Sequence, residues 1–210
     1  MQTLDLRKLY KHLYNPSARQ PVIVDVPPLH FACIDGAIEP GQSPGTSPSF
    51  AAALEALYGI SYTLKFLCKQ RAEDPVDYPV MPLEAQWSIA GGEFDIRRPD
   101  NWHWRAMIMQ PEPITPDVFA EGLDKLRKKR GSQPGFDLLR LEPFTEGLCV
   151  QVMHLGPYSE EPATLDRMRA YAETHGYRLH HDHHEIYLGD PRRADPAKLK
   201  TVLRHPVEKV

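Results

Sequence analysis

The chain has 210 residues, 41% of them apolar and 25% charged, with a formal net charge of −3. It is long enough for one large or two small modules with a real core, and its balance is that of a soluble globular protein. The negative charge argues against nucleic acid as the main partner, and no apolar run approaches the roughly 18–20 residues that span a bilayer, so neither a nucleic-acid nor a membrane role is expected. The basic run Lys125, Arg127, Lys128, Lys129 and Arg130 reads as the charged face and C-terminal end of a helix. Cys33, Cys68 and Cys149 have no metal spacing and sit in apolar runs, so they read as buried thiols in a reducing compartment. No signal peptide is read, which makes a cytoplasmic location the expectation. No cofactor and no metal is called for.

In chain order, residues 1–20 carry an amphipathic pattern that reads as an N-terminal helix or arm. Residues 22–26 and 30–38 are extended, broken by Pro27-Pro28. A Gly/Pro/Ser loop leads to a long helix over 49–70, with Phe50, Ala53, Leu57, Ile60, Leu64 and Leu67 near helical spacing. Strands are predicted at 78–88 and 102–110, joined by a connection holding Gly91-Gly92 and Arg98-Pro99-Asp100. Thr115 suits a helix cap and Pro116 the first turn of a helix that Gly131 ends. Residues 137–142 are a short extended piece, 147–155 a strand, 161–175 a helix ending at Gly176, and 180–188 a strand. A helical turn at 195–199 precedes an edge strand over 201–207, stopped by Pro206.

The order repeats. Strand, helix, strand, strand occurs twice, separated by a crossover helix. This divides the chain into an arm (residues 1–20), a first module (21–112), a crossover helix (113–135) and a second module (136–210). Each module lays a helix on one sheet face. A pseudo-two-fold pairing is expected to leave the other faces meeting at a groove, and ligand sites favour such junctions.

The strand over 180–188 has two unlike faces. Ile186 and Leu188 fall on one; His181, His183, Glu185 and Tyr187 fall on the other. A mid-strand carboxylate beside a phenol reads either as a solvent-exposed or salt-bridged acid, with Arg192 or Arg193 as partner, or as an acid aimed into a cavity. Glu84, followed by Gln86 and Trp87, takes the corresponding place in the first module. Both carboxylates are expected to line one groove with several aromatic residues. Strict alternation points Trp87 away from Glu84. Trp102 and Trp104 share a strand face, where they serve either the core or the groove. Tyr62 lies in a helix, where it serves the groove or only covers the sheet, and Tyr158 follows Gly156-Pro157, where it closes the groove or caps the third helix.

These segments together resemble the GyrI-like small-molecule-binding proteins, relatives of the effector-binding domains of bacterial transcription regulators. The resemblance rests on Asp5-Leu6, His12-Leu13-Tyr14 and Asp25-Val26-Pro27, on residues 56–66, on Met81-Pro82-Leu83-Glu84 with Trp87, on Trp102-His103-Trp104, on His154-Leu155-Gly156-Pro157-Tyr158, and on His184-Glu185-Ile186-Tyr187-Leu188. It implies an α+β fold of tandem strand-helix-strand-strand modules, with pseudo-two-fold symmetry around a central ligand groove. The resemblance is to the standalone branch, whose members are cyclopropanoid cyclopropyl hydrolases. The implied function is binding of a planar hydrophobic or cationic small molecule and hydrolysis of cyclopropane-bearing genotoxic electrophiles. The alternatives are a non-catalytic binding or sequestering module, and a gyrase-inhibitor-like protein.

Such chemistry needs a flat apolar slot, a base for water and a donor for the developing phenolate. Glu185 is the candidate base, its pKa expected to rise through burial among aromatic rings. Tyr187 is the candidate donor, or orients the water. Glu84, Trp87, Trp102, Trp104, Tyr62 and Tyr158 are the candidate ligand-binding residues.

Overall fold

Nine strands share one antiparallel sheet in the computed structural model, which describes residues 2–89, 95–96, 102–191 and 193–210. The Gly91-Gly92 and Arg98-Pro99-Asp100 connection and Arg192 lie outside the described residues. The strands are β1 (Val22–Val26), β2 (Leu29–Ala37), β3 (Leu83–Ile89), β4 (Trp102–Gln110), β5 (Arg140–Phe144), β6 (Gly147–Leu155), β7 (Tyr177–Leu179), β8 (His183–Tyr187) and β9 (Lys200–Lys209). The long helices are α1 (Pro48–Lys69), α2 (Pro116–Arg130) and α3 (Glu161–Thr174).

The sheet order is β1-β6-β9-β8-β3-β4-β2-β5, with β7 added beside β9. The repeated modules therefore appear as β2-β4-β3 and β6-β9-β8, joined where β3 pairs with β8. A two-fold relating antiparallel strands of one sheet runs perpendicular to it. It carries α1 onto α3 without changing faces. Phe50 of α1 packs on Trp87 and Trp104, and Met168 and Ala172 of α3 pack on Val150, Val152 and Leu203. By register these strand residues share the face of Glu185. The groove expected on the faces away from the helices is thus corrected: Glu185 lies on the helix side.

Local signals set the helix ends. Ser47 caps α1, its hydroxyl accepting from the Phe50 amide at 3.1 Å, and Pro48 begins the helix. Thr115 caps α2 in the same way, and Gly131, with φ of 77°, stops it. α2 packs on α1 closely enough that a Cβ on Gly122 would sit 2.5 Å from Leu64. The N-terminal arm forms two helical turns, Leu6–Leu9 and Lys11–Tyr14, and buries Leu6, Leu13 and Tyr14.

Three strand expectations are corrected. Pro79 and Pro82 delay the strand expected from residue 78 until Leu83, leaving only Val76–Asp77 extended before it. The strand expected over 180–188 is shorter, His183–Tyr187, because His181 takes φ of 59° just before it, and Tyr177–Leu179 forms a separate short strand upstream. The last strand is not an edge. β9 lies between β6 and β8, and Pro206 is tolerated because pairing with β8 ends at Arg204.

Candidate functional site

Glu185 stands at a seam. Its cross-strand neighbours are Ala85 of β3 and Leu203 of β9. Ala85 belongs to the large apolar cluster beneath α1 and Leu203 to the smaller one beneath α3. Period-two alternation places His183 and Tyr187 on the same face. The register then sets Trp87 opposite His183 and Trp104 opposite Trp87. Trp87 points away from Glu84 with no bulge, and so toward the face of Glu185.

The rings form a continuous wall. Trp102 and Trp87 have centroids 5.3 Å apart, Trp87 and Phe50 5.3 Å, and Phe50 and Trp104 5.2 Å. The Trp87 indole donates from Nε1 to the Tyr187 hydroxyl at 3.0 Å. Tyr158 meets Tyr187 edge-on, with centroids 5.9 Å apart. Its position depends on Gly156, whose φ of 127° only glycine adopts without strain, and whose amide donates to the Leu199 carbonyl at 3.1 Å. Trp104 belongs to the core: its six-membered ring covers Gly36, where a Cβ would lie 2.2 Å away. Tyr62 is 50% exposed on α1 and takes no part in this ring stack.

A second carboxyl meets the seam. Glu161 opens α3 and is only 1% exposed, against 6% for Glu185. Burial, then the charge of Glu185, push its pKa far above the carboxylate range. Oε1 of Glu161 and Oγ1 of Thr201 are buried without a hydrogen-bond partner among the described residues. The cation-capable neighbour of Glu185 is His183, whose Nε2 lies 3.3 Å from Oε1. Arg193, one of the two arginines that the sequence offered as its partner, instead reaches Asp190 at 3.8 Å and is largely exposed. Burial, then the Glu185 charge, raise the Tyr187 phenol well above its ordinary range, so it remains a donor. Tyr158 is raised to about 12, by burial first and then by Glu185 and Glu161.

Sequence reading missed Glu161. A glutamate in the first turn of a helix ordinarily faces water and favours the helix dipole. The available signal was its place directly after the Gly156-Pro157-Tyr158 turn.

Glu84 is elsewhere. It pairs across from Ile186, not Glu185, so it occupies the opposite sheet face. There the Tyr14 hydroxyl donates to its Oε1 at 2.5 Å, and His184 Nε2 lies 3.0 Å from Oε2. His184 Nδ1 lies 2.9 Å from Glu146, and Arg204 binds Glu146 at 3.1 Å, the Gln151 side-chain oxygen at 3.0 Å and the Leu13 carbonyl at 2.9 Å. Burial pulls the His184 imidazolium down, but Glu146 and Glu84 outweigh it and raise its pKa to about 9. Burial pushes Glu146 up, but His184 and Arg204 outweigh it and hold it at about 2. The expectation that Glu84 and Glu185 line one groove is corrected.

Neither of two surface cavities is lined by Glu185, Glu161, Tyr187 or Trp87. One, of about 590 Å³, is lined by His154, Glu160 and Arg167; the other, of about 530 Å³, by Gln86, Trp104, Arg105 and Asp182. His181 lines the second, not the face of Glu185. Among the described residues no group of three His, Cys, Asp or Glu side chains is arranged to hold a metal, and no helix is long and apolar enough to cross a membrane.

A family model for the GyrI-like small molecule binding domain matches residues 134–208. A conserved protein of uncharacterized function from Listeria innocua is 37% identical, with a TM-score of 0.87 over 98% of this chain and 100% of its own. A hydrolase from Listeria innocua is 34% identical, with a TM-score of 0.83 over 98% of this chain and 100% of its own. The C-terminal domain of EcmrR shares the fold alone, at 14% identity and a TM-score of 0.54 over 91% of this chain and 98% of its own. No curated protein matches the chain.

Proposed function

This chain belongs to the GyrI-like small-molecule-binding family, and from that premise we propose that its seam binds a flat hydrophobic molecule and hydrolyses cyclopropane-bearing electrophiles. The observation that carries the reading is a buried carboxylate, Glu185, set among Trp87, Trp102, Tyr187 and Tyr158 where the two modules meet. Aromatic faces and edges suit a planar conjugated ligand. Tyr158, 36% exposed, stands at the rim where a ligand would enter. The 34% identity to a hydrolase supports water as the nucleophile.

The chemistry balances without a cofactor. Glu185 takes a proton from water as the water oxygen attacks the outer carbon of a cyclopropane conjugated to a dienone. The ring carbon–carbon bond breaks, and its electron pair moves through the dienone onto the carbonyl oxygen. Tyr187, held protonated, donates a hydrogen bond to the water or to the substrate oxygen; the product phenolate takes a proton from the medium, and Glu185 returns to the medium the proton that it took from water. A positioned general base contributes about 10²–10⁴-fold.

A second reading, binding without turnover, is favoured by the two buried acids. Among the described residues neither Glu161 nor Glu185 forms an ion pair with lysine or arginine, which suits a cationic aromatic ligand. A multiple-turnover assay with a duocarmycin-type cyclopropane-dienone decides between them. Hydrolysis predicts many equivalents consumed by wild type and loss in Glu185→Gln. Consumption stopping at one equivalent, or none beside tight binding of a flat cation, establishes the binding module.

A further inference from the structure

The sheet cannot be flat. β5 and β6 are joined by residues 145 and 146 alone, and β1 and β2 by Pro27-Pro28, yet in each case six strand-to-strand steps separate the two strands in the sheet order. Three peptide units reach about 11 Å, whereas six steps of a flat sheet span about 29 Å. The sheet therefore curls. Glu146, in the first of these connections, binds His184 of β8 and Arg204 of β9, so the back face is the inside of the curl. The arm closes one end of it, where Tyr14 meets Glu84 and the Leu13 carbonyl meets Arg204. The other end is open and holds the cavity of about 530 Å³. Gln86 stands one pleat beyond Glu84 on the same face, with Ser88 one pleat further; Arg105 and His103 of β4 are their cross-strand neighbours. Gln86 is only 8% exposed, and its side-chain amide makes no hydrogen bond among the described residues. Arg105 is engaged by Asp35 at 2.8 Å. Asp182, half-buried just before β8, lines the same cavity and forms no ion pair among the described residues. Burial raises its pKa, and the charges of His181 and Arg105 act more weakly the other way.

We propose that this open end of the curled sheet is a second binding site, independent of the seam, for a hydroxylated amine of the amino-sugar class. Asp182 meets the ammonium group, the one charge in the cavity that no arginine or lysine of the chain neutralises by contact. The Gln86 amide offers an acceptor and two donors, and the Ser88 and Thr145 hydroxyls and the His103 imidazole each donate and accept. Groups of this kind, set on several sides of one cavity, match hydroxyls spread around a sugar ring. A purely apolar ligand would instead leave the Gln86 amide buried and unpaired. The Phe144 ring supplies an apolar wall for the C–H face of the sugar. The volume lies within the range of small-molecule sites and admits a disaccharide. The ion-paired network under the arm keeps its structural role, since neither Glu84 nor Arg204 lines the cavity.

The test uses three disaccharides of one skeleton that differ at one substituent per ring: the glucosamine disaccharide, its N-acetylated form and cellobiose, carrying ammonium, acetamide and hydroxyl. Binding of each to the full chain is measured by titration calorimetry at about pH 6.5, where amines of this kind are protonated. The glucosamine disaccharide is expected to bind about tenfold or more tighter than the other two, the worth of one charge-assisted hydrogen bond. Asp182→Asn is expected to remove that preference and to leave cellobiose binding as it was. Gln86→Leu is expected to weaken all three by about tenfold. Asp182 lies outside the strands, so its variant tests the site whether or not Gln86→Leu folds. Binding of none of the three to the wild type overturns the proposal. Binding of all three alike overturns the amine class and the part of Asp182. A preference for the amine that survives in folded Asp182→Asn places the sugar elsewhere and overturns the site.

Discussion

Glu84 and Glu185 sit on neighbouring strands, one residue out of register, and live in opposite chemistries. On the back of the sheet, Glu84 and Glu146 are matched by His184 and Arg204, and the network grips the N-terminal arm through Tyr14 and the Leu13 carbonyl. On the front, Glu185 faces aromatic rings and a second acid. Buried acids tied to a guanidinium and an imidazole hold chains together; a buried acid set among rings, with an imidazole at 3.3 Å beside it, is the kind a ligand can use. The comparison teaches that the acidic residue to follow toward function is the one outside the arginine network.

The largest effect is expected on the back. Arg204→Met leaves the Glu146 carboxylate buried beside a lone imidazolium, and should lower unfolding free energy by about 3–5 kcal/mol in urea titration. A loss under about 1 kcal/mol would mean that water already reaches Glu146. The pH dependence of stability sharpens the contrast next. His184 has a raised pKa, so its contribution is complete below about pH 6.5 and is lost as pH rises through about 9. The span corresponds to about 3 kcal/mol. Glu161 acts with the same sign over a wider window, from about pH 4.3, where the unfolded chain releases its proton, to about pH 10, where the folded state does. Above about pH 6.5, where both groups act, thermal melts should therefore fall with pH in wild type, and His184→Gln and Glu161→Gln should each make that fall shallower.

A smaller effect is expected at the turn that places Tyr158. Gly156→Ala forces a side chain into φ of 127° and toward Glu160, and should cost about 1–3 kcal/mol and weaken ligand binding. Unchanged affinity would remove Tyr158 from the site. The smallest effect is expected at Tyr62. Tyr62→Ala, on the exposed side of α1, should change stability by less than about 0.5 kcal/mol and leave affinity as it was. A tenfold loss of affinity would bring α1's outer face into the ligand site.

Much of this was legible in the residues. Ser47, Thr115, Pro116 and Gly131 mark helix ends through local hydrogen bonds and φ preferences, which neighbours in sequence decide. The repeat of strand, helix, strand, strand foretold the two modules, and alternation set Trp87 opposite to Glu84. What local pattern does not carry is register between strands about a hundred residues apart. One residue of offset between β3 and β8 sends Glu84 to the back, and no feature of either strand announces it. The burial of Glu161 is likewise decided by where α3 docks. The central position of β9 depends on partners from both sides, while its Pro206 argued locally for an edge.

The central claim is that the two faces divide stability from function, and one paired measurement tests it. Turnover of a cyclopropane-dienone and urea unfolding are followed together in Glu84→Gln and Glu185→Gln. Glu84→Gln should lose about 1.5–3 kcal/mol of stability with its charged hydrogen bonds, and its folded molecules should turn over at the wild-type rate. Glu185→Gln should stay folded and lose turnover by about 10²-fold or more. Folded Glu84→Gln without activity, beside an active Glu185→Gln, would contradict the assignment and move the site to the back of the sheet.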